Sequence, residues 1–458
     1  MDRFLLYLII FLLIAQCSYP QDEDDDSSNK LKLDEVNIEF KDADIFSRSE
    51  IYNIIKTGSS DYYNAEEFSL DVQRIEKFYF DNGFIDAFID TSTNIKVDKN
   101  EISVSFKITA NSAYLINKVN YTGLENLPDD LRANLFKSDD IEISPGDRYT
   151  KTAVSAEAGR VLRFLQNNGY AFTSMEPPEI VKYESNKPEL DYKLGINLKY
   201  ETGSSYRFGR TVIDIENKKY NIDLDDILYE LEYKENDIYS KEVLVQSENR
   251  LNRIAILENA RIVLSDIDTV NNHINFKIVG SVRNKYEIQP EILAYYISNS
   301  MFGGIGLTFS DKYFLKDPRT FSIKGRALAN SLENYRLELI LELFQPHIFN
   351  NNKITGSNNL SAAIFSIDDF RIEEIKNKAS INYELPRYTY LNNLTLDWNL
   401  KNQRVTFKYP LLGYNEDDSS FSTIPTGAFV NIFSSILGLT LVHSRIDNFQ
   451  FPTGGIYQ

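Results

Sequence analysis

Ala65 to Asn82 reads AEEFSLDVQRIEKFYFDN, and Phe68, Val72, Ile75 and Tyr79 within it recur at helical spacing. Asn82-Gly83 stops this helix, as residues that tolerate a left-handed cap should. Upstream, a shorter helical stretch is expected near Ser49 to Lys56, with Ser49 as its N-cap. Before that, LDEVNIEF from Leu33 alternates Val36, Ile38 and Phe40 with polar residues, the period of a strand. Two extended stretches follow the long helix, Phe84 to Thr91 and Glu101 to Ile108. The order is therefore strand, two helices, two strands.

That order recurs, and a repeat governs the whole fold. A second unit opens at Ile116 (INKVNYTGLENLPDDLRANLF) and carries a long helix from Lys151 to Asn168. Its end, Asn167-Asn168-Gly169-Tyr170, echoes Asp81-Asn82-Gly83-Phe84, with Gly83 and Gly169 lying 86 residues apart. A third unit opens at Tyr206 (YRFGRTVIDI), passes Lys234-Glu235-Asn236-Asp237-Ile238-Tyr239, and continues into a helix near Glu242 to Leu257 and a strand at Ala260 to Leu264. There Glu258-Asn259-Ala260 stands where the other units have glycine. The reading is α+β repeats, three tandem β-α-α-β-β units, at residues 33–110, 113–200 and 205–282.

From Tyr286 the helical period disappears. Arg336 to Leu343 reads RLELILEL, with four leucines on one face and Arg336, Glu338 and Glu342 on the other. Asn393 to Lys401 (NLTLDWNLK) sets Leu394, Leu396, Trp398 and Leu400 against Thr395, Asp397, Asn399 and Lys401. Ala379 to Leu385, Arg404 to Tyr409 and the more apolar Ser435 to Val442 are also extended. Such alternation fits an antiparallel transmembrane β-barrel, apolar toward lipid and polar toward a wet lumen. A soluble antiparallel sheet with one buried face has the same period. The 29 Tyr and 29 Phe favour the barrel, with Tyr295-Tyr296, Phe344, Phe349, Tyr388 and Tyr390 near strand ends, where interfacial aromatics sit. Turns are expected at Asn299 to Gly304, Lys316-Asp317-Pro318 and Asn350-Asn351-Asn352, giving roughly eight strands over 286–458.

Arg3 followed by the apolar run Phe4 to Ala15, then Gln16, Cys17 and Ser18, reads as a secretory signal over residues 1–17. Cys17 is the only cysteine, so an internal disulfide is excluded; it is either a lipidation site or a residue lost with the signal. Residues 18–32, with Asp22-Glu23-Asp24-Asp25-Asp26, form an acidic linker whose like charges repel. A net charge of −18 argues against nucleic acid. There is no Gly-x-Ser-x-Gly elbow, P-loop or Gly-x-Gly-x-x-Gly after a strand. His273, His347 and His443 lack metal-ligand spacing, and the carboxylates read as solvated faces. No enzyme, catalytic residue, cofactor or metal is expected.

The strand-plus-glycine opening Val119-Asn120-Tyr121-Thr122-Gly123, the Gly146-Asp147-Arg148-Tyr149 before the long helix, and the terminal Asn-Gly-Tyr or Asn-Gly-Phe resemble POTRA domains. These are modules of the BamA and TamA family of barrel proteins, and the count of three points to the TamA side of it. The resemblance implies an outer membrane assembly factor with periplasmic units and about sixteen barrel strands. About half the barrel would then be missing; the family's Arg-Gly-Phe loop and closing strand are not present here, while Arg445 to Gln458 resembles its mid-barrel Asp-then-Pro-Thr-Gly turn. The first barrel strand, around Ile288 to Ile297, would form a lateral seam through Ile288, Pro290, Ile292, Ala294 and Tyr296. Implied partners are outer membrane lipid, unfolded outer-membrane protein clients and a TamB-like inner-membrane-anchored protein. A two-partner-type secretion pore and a soluble periplasmic binding scaffold are the alternatives.

Overall fold

The computed structural model describes residues 31–58, 60–137, 141–183, 191–215, 220, 222–297, 300–349, 351–367, 369–385, 391–415 and 420–443. Cys17, the signal-like segment, the acidic Asp22 to Asp26, Tyr388, Tyr390 and Arg445 to Gln458 lie outside them. No helix among the described residues is long and apolar enough to cross a membrane, which bears on helices alone. The chain divides into two compact units, residues 1–164 with 173–202 and residues 165–172 with 203–458.

In the first compact unit, the opening repeat runs β1 (Lys32–Phe40), α1 (Arg48–Tyr52), α2 (Ala65–Asp81), β2 (Phe88–Lys96) and β3 (Glu101–Thr109). Its sheet order is β1-β3-β2, with β1 parallel and β2 antiparallel to the central β3. Parallel neighbours need a crossover, and α1 and α2 provide it. Ile102, Val104, Phe106 and Ile108 are buried at every second position of β3, beneath Phe68, Ile75 and Tyr79 of α2. Burial of each such side chain contributes about 1.5–3 kcal/mol. The cap of α1 is Ser47 rather than Ser49. Glu50 stands three residues beyond Ser47, and each side chain bonds the other's backbone N–H, closing a capping box. The strand expected from Phe84 begins at Phe88, because residues 83–87 turn between helix and strand.

The second repeat comprises β4 (Leu115–Thr122), α3 (Asp129–Leu135), α4 (Lys151–Asn167), β5 (Ser174–Met175), β6 (Glu179–Lys182) and β7 (Lys193–Glu201). Here β7 is central, parallel to β4 and antiparallel to β5 and β6. At the junction of the first two repeats, the Tyr114 N–H donates to Gly83 O at 2.8 Å and the Tyr149 N–H to Tyr114 O at 2.9 Å. Gly83 has φ +95°, and a Cβ there would stand 2.4 Å from Tyr149 O, so glycine is required twice over.

The second compact unit opens with the third repeat: β8 (Arg207–Ile215), α5 (Leu224–Tyr229), α6 (Lys241–Leu251), β9 (Leu257–Asp268) and β10 (His273–Val282), in sheet order β8-β10-β9. The Gly83 pattern recurs, as the Tyr206 N–H donates to Gly169 O at 2.8 Å and the Tyr239 N–H to Tyr206 O at 3.1 Å. Helix α6 stops at Leu251, six residues before the expected Leu257. Ile254, Ile256 and Leu257 join the core through the turn and strand that follow.

Three residues beyond β10 an eight-stranded antiparallel sheet begins. It comprises β11 (Tyr286–Ile297), β12 (Ser300–Asp311), β13 (Thr320–Ala329), β14 (Tyr335–Gln345), β15 (Ile354–Ile367), β16 (Phe370–Glu384), β17 (Asn393–Phe407) and β20 (Phe429–Val442), paired in that order. A separate hairpin, β18 (Leu411–Asn415) and β19 (Ser420–Ile424), lies between β17 and β20 in sequence. Met301 to Gly304, expected in a turn, belong to β12. Between the two end strands no pairing exists among the described residues, so the described sheet is open and resembles a partial barrel.

Candidate functional site

The sheets leave backbone edges open. In the first repeat β2 bonds β3 along one side, and among the described residues no strand pairs with its other side. In the third, β9 is the corresponding edge. Such rims present unpaired N–H and C=O groups to any extended chain. The second repeat differs: Glu176-Pro177-Pro178 separates β5 from β6, and proline offers no N–H to a pairing strand.

A buried polar bracket holds each long helix in place. Asp71 on α2 accepts the Lys56 N–H at 2.9 Å and the Thr57 N–H at 2.6 Å. Glu157 on α4 accepts the Glu142 N–H at 3.1 Å, and Ser247 on α6 accepts the Glu232 N–H at 2.9 Å. The separation is 15 residues in all three. Arg160 and the Tyr121 hydroxyl, 2.8 and 2.7 Å away, complete the partners of Glu157. Burial pushes both carboxyls up, but these bonds outweigh it and hold them below the usual range. The expectation of solvated carboxylate faces fails here, since Asp71 and Glu157 are fully buried. The available signal was position, each lying twelve residues before Gly83 or Gly169.

Register gives the large sheet two unlike faces. Pro290, Leu307, Gly325, Leu339, Ala362 and Ile375 form one row across β11 to β16 on the apolar face. The adjoining row on the opposite face runs Glu291, Gly306, Arg326, Glu338, Ala363, Glu374 and Gln403. Charges on that face are paired: Arg326 with Glu291 at 3.0 Å, Lys324 with Glu342 at 2.8 Å, Arg336 with Glu338 at 3.0 Å, and Lys376 with Glu374 at 2.6 Å. Ile340 is buried among them, an apolar residue within the polar face. Strand β20 departs from the division, since Val430, Ile432 and Ile436 expose apolar surface on that face too. Aromatic pairs mark strand ends, Phe370 with Phe407 and Tyr286 with Phe309.

Ile288, Pro290, Ile292, Ala294 and Tyr296 share one face of β11, the sheet's first edge, and all are exposed, Ile292 at 94%. A proline inside a strand is tolerated at an edge, so Pro290 fits this position.

The third repeat meets the sheet through buried charge. Arg250 Nη2 donates to Glu384 Oε2 at 2.7 Å, and Arg253 pairs with the other oxygen of the same carboxylate. Glu232 lies 3.6 Å from Arg250 and 3.3 Å from Lys353. The Tyr313 hydroxyl donates to Asp226 at 2.7 Å and accepts the Asp223 N–H at 3.2 Å. His347 Nδ1 sits 3.2 Å from Glu230, and Asn352 Nδ2 donates to Tyr229 O at 3.0 Å. Glu230 holds the His347 imidazole above its ordinary value, against the effect of burial, while burial raises Asp226. Burial also pushes the Tyr313 phenol up to about 12. His347 thus lies in the connection after β14 and makes its contact there. Among the described residues no group of His, Cys, Asp and Glu is arranged to hold a metal.

Residues 36–111 and 114–199 match the POTRA family model, described as a surface antigen variable number repeat. The third repeat has the same topology outside the matched residues. The chain is 23% identical over 159 residues to the outer membrane protein assembly factor BamA of Buchnera aphidicola, covering 35% of this chain and 24% of that protein. It is 22% identical over 204 residues to the BamA of Neisseria meningitidis, covering 44% and 24%. The crystal structure of Haemophilus ducreyi BamA lacking POTRA domains 1–3 is similar at TM-score 0.40 and 13% identity, over 75% of this chain and 62% of that one. At family level the likeness is to the BamA/TamA type. It spans about a quarter of the length of the curated relatives it matches.

Proposed function

We propose that this chain is part of an outer membrane protein assembly factor, seated in the outer membrane with its α/β repeats in the periplasm. The observation that carries the reading is the two-faced sheet, whose exposed apolar rows and paired polar rows suit lipid on one side and a wet lumen on the other. Backbone groups left open in lipid cost several kcal/mol each, so an unpaired β11 favours pairing with another strand. Unfolded clients dock by β-augmentation on the repeat rims, where main-chain bonds give affinity without demanding a sequence. They are then templated against the seam strand carrying Ile288, Pro290, Ile292, Ala294 and Tyr296. The client's own folding into lipid supplies the energy, and no catalytic group is required. A TamB-like inner-membrane-anchored protein docking on the first repeat belongs to the same reading.

The test is reconstitution. Full-length protein in lipid vesicles should speed the folding of an unfolded outer-membrane client relative to empty vesicles, read as protease protection. Equal rates with and without the protein, in vesicles where it is itself inserted, would overturn the assembly role. Passage of a soluble exoprotein across such vesicles would instead support a two-partner-type secretion pore.

A further inference from the structure

Arg250 is 2% exposed, yet its shortest ion pair is made not within its own repeat but with Glu384, 134 residues further on. It is one of three separate points at which the third repeat is held. Tyr313 lies between β12 and β13 and grips α5 through Asp226 and Asp223. His347, Asn352 and Lys353 lie between β14 and β15 and meet Glu230, Tyr229 and Glu232. Glu384 closes β16 and receives both Arg250 and Arg253. The covalent link, residues 283–285, joins repeat and sheet at one place, where the Arg283 N–H donates to Ile256 O and the Lys312 N–H to Lys285 O. Contacts at three different connections of one sheet oppose rotation about it.

We infer that Arg250, Glu384 and Tyr313 are positioning residues, which clamp the third repeat to the sheet's connections and so hold the β9 rim at a set orientation to the β11 edge. None of them touches a client. The inference rests on the proposed function only for what the positioning serves; the clamp itself is a matter of geometry. Glu384 is the key member because each of its oxygens holds a different guanidinium, an arrangement that Gln cannot reproduce.

The experiment uses the full-length protein in lipid nanodiscs, with Cys17→Ser and spin labels at Val245→Cys on α6 and Leu332→Cys in the β13–β14 connection, both exposed positions. A single narrow label-to-label distance is expected in the parent. Glu384→Gln should broaden it, with the clamped population falling about tenfold relative to released ones, the scale of one hydrogen bond to a charged group. Glu384→Asp should recover much of the narrow peak, and Tyr313→Phe, which touches no ion pair, should broaden it less. Client folding in vesicles should slow in the same order as the distances broaden. An unchanged distance in Glu384→Gln, or a broad one in the parent, would overturn the clamp. Broadened distances with undiminished client folding would overturn its positioning role. Should the parent fail to promote client folding at all, the assembly reading falls while the distance measurement still decides the clamp.

Discussion

At the scale of single residues, the buried brackets are where substitution is most costly. Glu157→Ala would leave the Arg160 guanidinium, the Glu142 N–H and the Tyr121 hydroxyl without their shared acceptor. Removing one member of a buried ionic cluster costs about 3–5 kcal/mol. Ser247→Ala deletes two neutral bonds, from the Glu232 N–H and to Val243 O, and should cost about 1–2 kcal/mol. Hydrogen exchange at the Glu142 and Glu232 amides would measure both, with the larger loss of protection at Glu142. The same groups set opposite pH responses. Asp71 and Glu157 are held below their ordinary values, so their stabilisation is present above the unfolded value and disappears as pH falls through the lowered folded one. His347, raised from 6.5 by Glu230 with Asp226 and Asp317 nearby, contributes below that value and is lost as pH rises through its elevated one. Exchange followed across a pH series should show the first two repeats loosening in acid and the His347 contact loosening toward alkali.

At the scale of elements, repeat order and strand alternation were legible because local period and burial coincide. The long helices of the first two repeats and the two faces of RLELILEL follow from spacing. The end of α6 was not legible, since Leu251, Ile254 and Leu257 continue a helical-looking apolar rhythm that the fold uses in a turn and strand. Carboxylates also defeated local reading: a buried bracket and a solvated face are written with the same residue, and only the position twelve residues before Gly83 or Gly169 sets Asp71 and Glu157 apart. Two outcomes test the elements directly. Gly83→Ala should destabilise the first repeat by about 1–2 kcal/mol from the left-handed backbone alone, more with the clash at Tyr149, measured by urea unfolding. Leu339→Arg on the apolar face should cost about 2–4 kcal/mol if that row lies at mid-bilayer, and the folded, heat-modifiable gel band should vanish. Lys376→Ala on the polar face should leave the band in place.

For the molecule as a whole, fractionation separates the membrane reading from a soluble scaffold. The full-length product should require detergent for extraction and migrate faster before boiling than after. Recovery in the soluble periplasmic extract would contradict it. The joining of the third repeat to the sheet is the least legible feature of all, because Arg250 and Glu384 are 134 residues apart and neither has a local pattern that announces the other.

Only residues 283–285 separate β10 from β11. Three residues stretch to at most about 11 Å, and neighbouring strands stand about 4.8 Å apart. On the proposed function, a polypeptide taken up on β9, one strand over from β10, would be leashed within a few strand widths of β11. Its hand-off would then be a short local transfer at high effective concentration.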